Sequence, residues 1–160
     1  MRKIVIGGAV LVATLLVAFP CWAQEAFFGV WKVTGAEPAP WVAKIPDRSS
    51  DVIPAIRHGE IVIAKDHFSS PICNCGECNH PEYKIDRQPR LGLFEGALYD
   101  PEHGITNTNE LAGRYGFYDD SIDELDVSGC ESEQPQFQIN KAGKMVFAFW
   151  NVIYTAERVE

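Results

Sequence analysis

The sequence predicts a mainly all-β fold. We expect a small antiparallel β-barrel or sandwich with one short helix, cross-linked by disulfide bonds. Short stretches of alternating apolar and polar residues recur along the chain, as at residues 28–35, where Trp31 and Val33 alternate with Lys32 and Thr34. Glycines and prolines interrupt these stretches throughout. Many short strands with frequent turns are typical of sandwiches and barrels.

The first residues have the pattern of a cleavable secretion signal. Arg2 and Lys3 precede an apolar run over residues 4–19, and the small residues Cys21 and Ala23 stand where a signal peptidase reads. The run is shorter than the roughly 20 residues that span a bilayer, and no basic patch follows it. We therefore expect cleavage after Ala23, a periplasmic location and no stable membrane anchor in the mature protein.

Residues 1–23 are thus predicted to be a leader, and residues 24–160 a single domain. The chain has 14 Lys and Arg against 22 Asp and Glu, and the leader holds two of the cations, so the mature net charge is 12 minus 22, or −10. An acidic surface argues against binding to nucleic acid and against binding to anionic lipid. It is compatible with a cationic protein partner, or simply with solubility.

The elements follow in order along the chain. Further strands are expected at residues 60–65, 83–87, 136–140, 145–149 and 152–158, with Pro-broken loops at residues 37–41 and 47–57. Asn107 and Glu110 have capping-box spacing before a short helix that Gly116 would end. The acidic residues between 119 and 126 lack the EF-hand pattern, so the sequence favours a solvated acidic face there over a calcium site.

Four cysteines remain after the leader: Cys73, Cys75, Cys78 and Cys130. Two disulfides are the default expectation in an oxidising compartment. Cys130 must then pair with a member of the cluster, and a Cys73–Cys75 bridge would be strained. The preferred interpretation is Cys75–Cys78 with Cys73–Cys130.

The cysteine cluster has an alternative interpretation as a metal site. Cys73, Cys75, Cys78 and His80 place three thiols and an imidazole within eight residues, a ligand set suited to copper or zinc. The oxidising compartment favours disulfides over this site.

Two fragments point to a known family. Phe28-Gly29-Val30-Trp31 resembles the Gly-x-Trp signature on the first strand of lipocalin-like (calycin) β-barrels. The resemblance implies that Trp31 closes one end of a barrel and that Arg158, on the last strand, packs across its ring in a cation–π contact.

The segment also resembles an uncharacterised class of small bacterial periplasmic proteins. The shared features are the opening Trp strand, Pro40-Trp41, a cysteine before a Tyr strand, Gly129-Cys130-Glu131 and a closing apolar hairpin. This class implies no particular activity.

The function favoured by these observations is a non-catalytic binding protein that holds a small apolar or amphiphilic ligand. The candidate ligand-binding residues are Trp31, Trp41, Phe147, Trp150 and Arg158. Motifs of serine hydrolases, zinc proteases and P-loop enzymes are absent from the sequence. Two alternatives stay open: an inhibitor of a cationic cell-wall hydrolase of the lysozyme type, and a copper- or zinc-binding protein.

Overall fold

The computed structural model describes residues 20–39, 54–72, 77–93, 108–132, 134–150 and 152–159. Their helical elements are α1 (Pro20–Glu25), a 3₁₀ turn (Arg90–Gly92) and α2 (Thr108–Arg114), and residues 54–57 are also helical. The strands are β1 (Gly29–Pro38), β2 (Glu60–Ala64), β3 (His67–Ser69), β4 (Glu77–Asn79), β5 (Glu82–Pro89), β6 (Ser121–Ser128), β7 (Phe137–Ile139), β8 (Met145–Phe149) and β9 (Val152–Arg158). The predicted all-β class and the predicted short helix are both confirmed.

All nine strands form one sheet in the order β4-β3-β2-β1-β9-β8-β7-β6-β5, and every neighbouring pair is antiparallel. Eight antiparallel steps separate β4 from β5, so these two edge strands run in the same direction. Only His80 and Pro81 lie between them. The chain therefore passes from one edge of the sheet to the other as a single bent strand, which requires the sheet to curl on itself.

Polar contacts hold the two edges together at this seam. His80 has a φ of 61°, and its amide donates to the carbonyl of Asp66 at 3.2 Å. The hydroxyl of Tyr83, on β5, shares its proton between the carbonyls of Ala64 and His67 at 2.8 and 3.1 Å. Both carbonyls flank the β2–β3 turn. The hydroxyl therefore links β5, at one edge of the sheet, to two strands near the opposite edge.

Large aromatic side chains fill the concave side of the curled sheet. Phe137 contacts Phe147 with ring centroids 5.3 Å apart, and Phe147 stacks on Tyr154 at 5.1 Å. Trp31 and Phe68 complete the group, and all five side chains are fully buried. Burial of such rings supplies most of the apolar stabilisation of the core.

A second apolar cluster lies on the convex face. Val146 and Ile153 point away from the aromatic core, because alternate residues of a strand face opposite sides. Leu111 and Ala112 of α2 pack against them. β8 and β9 are therefore buried on both faces, which explains why they read as nearly continuous apolar runs.

The prediction of a solvated acidic face is wrong for Glu124, which lies on strand β6. Asp119 and Asp120 are exposed, but Glu124 is only 4% exposed. Gln138, directly opposite on β7, donates from Nε2 to Oε2 of Glu124 at 2.7 Å. The carboxylate is buried with a hydrogen-bond donor, which lowers the cost of removing it from water.

Among the described residues, no helix is both long enough and apolar enough to cross a bilayer.

Candidate functional site

The contact between Trp31 and Arg158 forms as expected. The Arg158 guanidinium carbon lies 4.7 Å from the centre of the indole ring. Arg158 also donates to the carbonyl of Ala26, and the indole nitrogen of Trp31 donates to the carbonyl of Phe27 at 2.8 Å. Together these contacts fix the segment between α1 and β1 across one end of the curled sheet.

The structure places two of the predicted ligand-binding aromatics, Trp31 and Phe147, in one buried core cluster. Trp31 and Phe147 are core residues with no exposed surface to offer a ligand. Trp150 is 50% exposed, at a φ of 48°, in the turn after β8, where its ring stacks on Phe149. Trp41 lies outside the described residues.

The preferred disulfide pairing is wrong, because Cys78 is bonded to Cys130 with a Cα–Cα distance of 5.4 Å. Pairing with β3 holds Cys78 opposite Phe68 at the seam. Beyond β6 the chain turns at Gly129, whose φ is +79°, and this turn presents Cys130 to Cys78. Both predicted bridges are thereby excluded, and Cys73 and Cys75 themselves lie outside the described residues.

The same bond removes Cys78 from the alternative metal site. A sulfur in a disulfide is not a thiolate, and thiolate is the form that binds copper or zinc. The described part of the chain contains no cluster of three or more His, Cys, Asp or Glu side chains arranged to hold a metal ion. His80 instead takes part in the bend between β4 and β5.

A cavity of about 440 Å³ lies beside α1, and we call it the α1 cavity. Its apolar lining comes from Phe27, before β1, and from Phe117, Ile122 and Ile139 on the neighbouring loop and strands. The rest of the lining is Ala23, Ala26, Arg87, Gly116, Tyr118, Asp119, Ser121, Asp123 and Lys141. The volume falls in the range of sites for small organic ligands.

Two ion pairs supply the charged groups of the α1 cavity. Arg87 and Asp123 face each other across β5 and β6 and form a bidentate pair, with Nε–Oδ1 at 2.8 Å and Nη2–Oδ2 at 3.3 Å. Lys141 Nζ lies 3.1 Å from Asp119 Oδ1. Both pairs are largely exposed, so each contributes little to stability and can rearrange around a ligand.

Asn140 lies between Ile139 and Lys141, which both line the α1 cavity, and it fixes this part of the wall. Its Nδ2 donates to the carbonyl of Tyr115 at 2.7 Å, and its Oδ1 accepts from the amides of Ala142 and Lys144, both at 3.0 Å. Gly116 has a φ of +83°, and a Cβ there would lie 3.0 Å from Asn140 Nδ2. The loop and the β7–β8 hairpin are therefore held in one arrangement before any ligand arrives.

A second cavity of about 480 Å³ lies on the other side of residues 115–118, and we call it the hairpin cavity. Tyr115 donates its hydroxyl proton to Glu37 at 3.2 Å, and burial together with this carboxylate raises the pKa of Tyr115 to about 12. Arg114 and Lys144 add charge to the wall. The hairpin cavity is thus more polar than the α1 cavity, and Tyr118 lines both.

The sequence did not indicate the residues of the α1 cavity. Phe117 lies just before the acidic stretch, and Ile122 lies within it. Arg87 lies 36 positions from its partner Asp123. One local signal was present, because Ile122 interrupts the run of acids with the alternation typical of a strand.

No protein-family model, no curated protein and no solved structure matches this chain.

Proposed function

We propose that the protein is a secreted, non-catalytic binding protein of the bacterial periplasm that holds the apolar part of a small amphiphile in the α1 cavity. The observation that carries the proposal is this cavity, where Phe27, Phe117, Ile122 and Ile139 form an apolar lining beside a few charged groups. Ligand pockets commonly combine such a lining with a small number of placed polar side chains.

The packed core is the reason to place the ligand beside α1 and not inside the curled sheet. Trp31, Phe68, Phe137, Phe147 and Tyr154 already occupy the concave side and are fully buried. A ligand there would have to displace close-packed rings, at a cost of several kcal/mol. The α1 cavity requires no such displacement.

Features of the structure and of the sequence support the family and the compartment within this proposal. The Trp31–Arg158 contact and the curled antiparallel sheet agree with a lipocalin-like relationship. The Cys78–Cys130 disulfide agrees with an oxidising compartment such as the periplasm. The predicted leader agrees with export.

Filling the α1 cavity tests the proposal. Ala26 lines this cavity and is exposed, so we expect Ala26→Trp to place a large ring in the cavity. Ala142→Trp makes the same change in the hairpin cavity and is the matched control. Dodecyl maltoside, titrated by calorimetry below its critical micelle concentration, is the probe.

We expect the wild type and Ala142→Trp to bind the probe, and Ala26→Trp to bind it at least about tenfold more weakly, because displacing a bound alkyl segment removes apolar burial. Equal binding by the two variants would place the ligand elsewhere. Failure of the wild type to bind the probe would refute the proposal.

A second candidate function is inhibition of a cationic cell-wall hydrolase. Tyr118, Asp119 and Asp120 are consecutive and exposed, with Tyr118 64% exposed, so an aromatic side chain stands beside two carboxylates. Aromatic anchors with complementary charge are common at protein interfaces. Residual lysozyme activity in the presence of wild type or of Tyr118→Ala tests it, and full activity with excess wild type would eliminate this candidate.

A further inference from the structure

We propose that the outer edge of β5 pairs with the β5 of a second copy of this chain, in an antiparallel ladder centred on Ile85. Strand β5 spans Glu82–Pro89 and ends the sheet order, so among the described strands it pairs with β6 alone. An edge strand leaves a row of backbone N–H and C=O groups without partners in its own sheet, and another chain can pair with them. The inference does not depend on the proposed function.

The hydrogen bonds to β6 show which backbone groups of β5 point outward. Pro89 lies opposite Ser121, and in the next pair the amide of Arg90 donates to the carbonyl of Asp120 at 3.0 Å. A direct bond between opposite residues marks a hydrogen-bonded pair, and such pairs alternate along an antiparallel ladder. The even-numbered residues of β5 therefore face β6, and residues 83, 85 and 87 direct their N–H and C=O groups outward. Pro89 fits this pattern, because proline has no N–H and is tolerated where the N–H would face away from the sheet.

The described contacts near β5 leave this edge available. The seam contact of Tyr83 runs through its side chain, and the described residues show no backbone hydrogen bond from residues 83–88 to β2 or β3. Helix α1 lies against β5 from the concave side, where Ala23 and Ala26 share the α1 cavity with Arg87. A partner strand would lie beside β5 in the plane of the sheet, about 4.8 Å away.

The side chains of β5 are complementary to those of a second β5. A twofold axis through Ile85 places each residue opposite one with which it can interact favourably: opposite charges, two apolar chains, a ring and a cation, or a carboxylate and an amide. The opposed pairs, one residue from each copy, are Lys84–Asp86, Ile85–Ile85, Tyr83–Arg87 and Glu82–Gln88.

The neighbouring registers oppose like charges. An axis through Asp86 would set the two Asp86 carboxylates against each other, and an axis through Lys84 would do the same with the two Lys84 side chains. An axis through Arg87 would oppose two guanidinium groups. A shift by a single residue would turn the core face of one β5 towards the outer face of the other. The register centred on Ile85 is therefore the favoured one.

Charge selects the register of this ladder but does not supply its strength. The two acids and two cations of β5 cancel, but Asp123, Glu124 and Asp126 of β6 lie in the next row, so pairing brings acidic groups of the two copies nearer to each other. Electrostatic complementarity fixes register more than affinity. Three outward residues in each of two copies donate one backbone bond each, which gives six bonds across the ladder. These bonds and the Ile85 contact supply the affinity, and we expect a weak dimer.

The test measures association of the exported protein by sedimentation velocity. We expect a dimer at about 100 μM, and a dissociation constant at least about tenfold higher in Lys84→Glu, because like charges then face each other twice. Lys84→Glu/Asp86→Lys exchanges the two charges and is expected to restore the dimer. Lys144→Glu makes the same change in net charge between β7 and β8 and is the matched control. Urea midpoints check that each variant is folded.

Cysteine cross-linking tests the register independently, in a Cys73→Ala/Cys75→Ala background. Lys84→Cys and Asp86→Cys variants are mixed with oxidised glutathione as the oxidant. The two positions would form a non-hydrogen-bonded pair, in which Cα atoms lie about 4.5 Å apart, within disulfide range. We expect the mixture to form a covalent dimer and either variant alone to form much less.

Three outcomes would overturn the inference. They are a wild type that stays monomeric up to about 1 mM, a dimer that Lys84→Glu leaves intact, and a covalent dimer that forms as well from one variant as from the mixture. Lys84 and Asp86 line neither the α1 cavity nor the hairpin cavity, so amphiphile binding is expected to be the same in these variants. Loss of the dimer therefore leaves the proposed function standing.

Discussion

Removal of the Cys78–Cys130 bridge is expected to lower the free energy of unfolding by about 4 kcal/mol. The bridge closes a loop with a sequence separation of 52 residues. In the loop-entropy relation, a loop of this length corresponds to about 14 cal/mol/K, or about 4 kcal/mol at 25 °C. Small domains are commonly stable by only about 5–15 kcal/mol, so this is a large fraction of the total.

The assay is urea denaturation of a Cys78→Ala/Cys130→Ala double variant against the wild type. With a denaturant slope of about 2 kcal/mol/M, the midpoint should fall by about 2 M. A Cys73→Ala/Cys75→Ala double variant keeps the described bridge and is the control. A midpoint within about 0.3 M of the wild type for Cys78→Ala/Cys130→Ala would refute the reasoning, because the seam would then be held without the bond.

Three further predictions concern the seam, the buried tyrosines and the sheet. Tyr83→Phe is expected to cost about 1–2 kcal/mol, because two carbonyls lose their shared donor. Burial raises the pKa of Tyr83, Tyr115 and Tyr154 from 10 to about 12, so the stability that they contribute is complete below pH 10 and is lost as pH rises towards 12. Gly35→Ala is expected to cost about 1–3 kcal/mol, since its Cβ would lie 2.3 Å from Thr155 Oγ1, and Thr155→Ala should restore most of the loss.

Urea midpoints measure all three predictions. A Tyr83→Phe midpoint equal to that of the wild type would show that the hydroxyl does not fasten the seam. A wild-type midpoint that stays constant from about pH 9 to about pH 12 would contradict the linkage argument. If Gly35→Ala lowers the midpoint equally with and without Thr155→Ala, the Cβ added at residue 35 does not clash with the Thr155 side chain.

Local patterns in the sequence were sufficient for the fold class and for several elements. The alternation around Trp31, the paired apolar runs after residue 145 and the short helix before Gly116 each depend on neighbours a few positions apart. Asn107, the first residue of the predicted capping box, lies outside the described residues. Such signals reflect which face of a strand or helix is buried, and they can be read without knowing the partner element. The contact of Arg158 with Trp31 was expected from a resemblance that depends on two short fragments at the ends of the domain.

The tertiary structure decided what depends on distant partners. The sequence predicts that Glu124 is solvated, but it is a buried residue of β6 whose carboxylate accepts a hydrogen bond from Gln138. Cys78 pairs with Cys130 because the β3–β4 ladder and the turn at Gly129 bring them together, a geometry that cysteine spacing does not contain.

The α1 cavity also depends on residues that are distant in the sequence. Its lining comes from four separate stretches of the chain, between residues 23 and 141, and none of them has a ligand-binding signature of its own. The sequence by itself determined which residues alternate, turn and cap, because those properties are local. Only the curling of the sheet decided which of them share a surface, because that depends on how the two edge strands meet through His80 and Pro81.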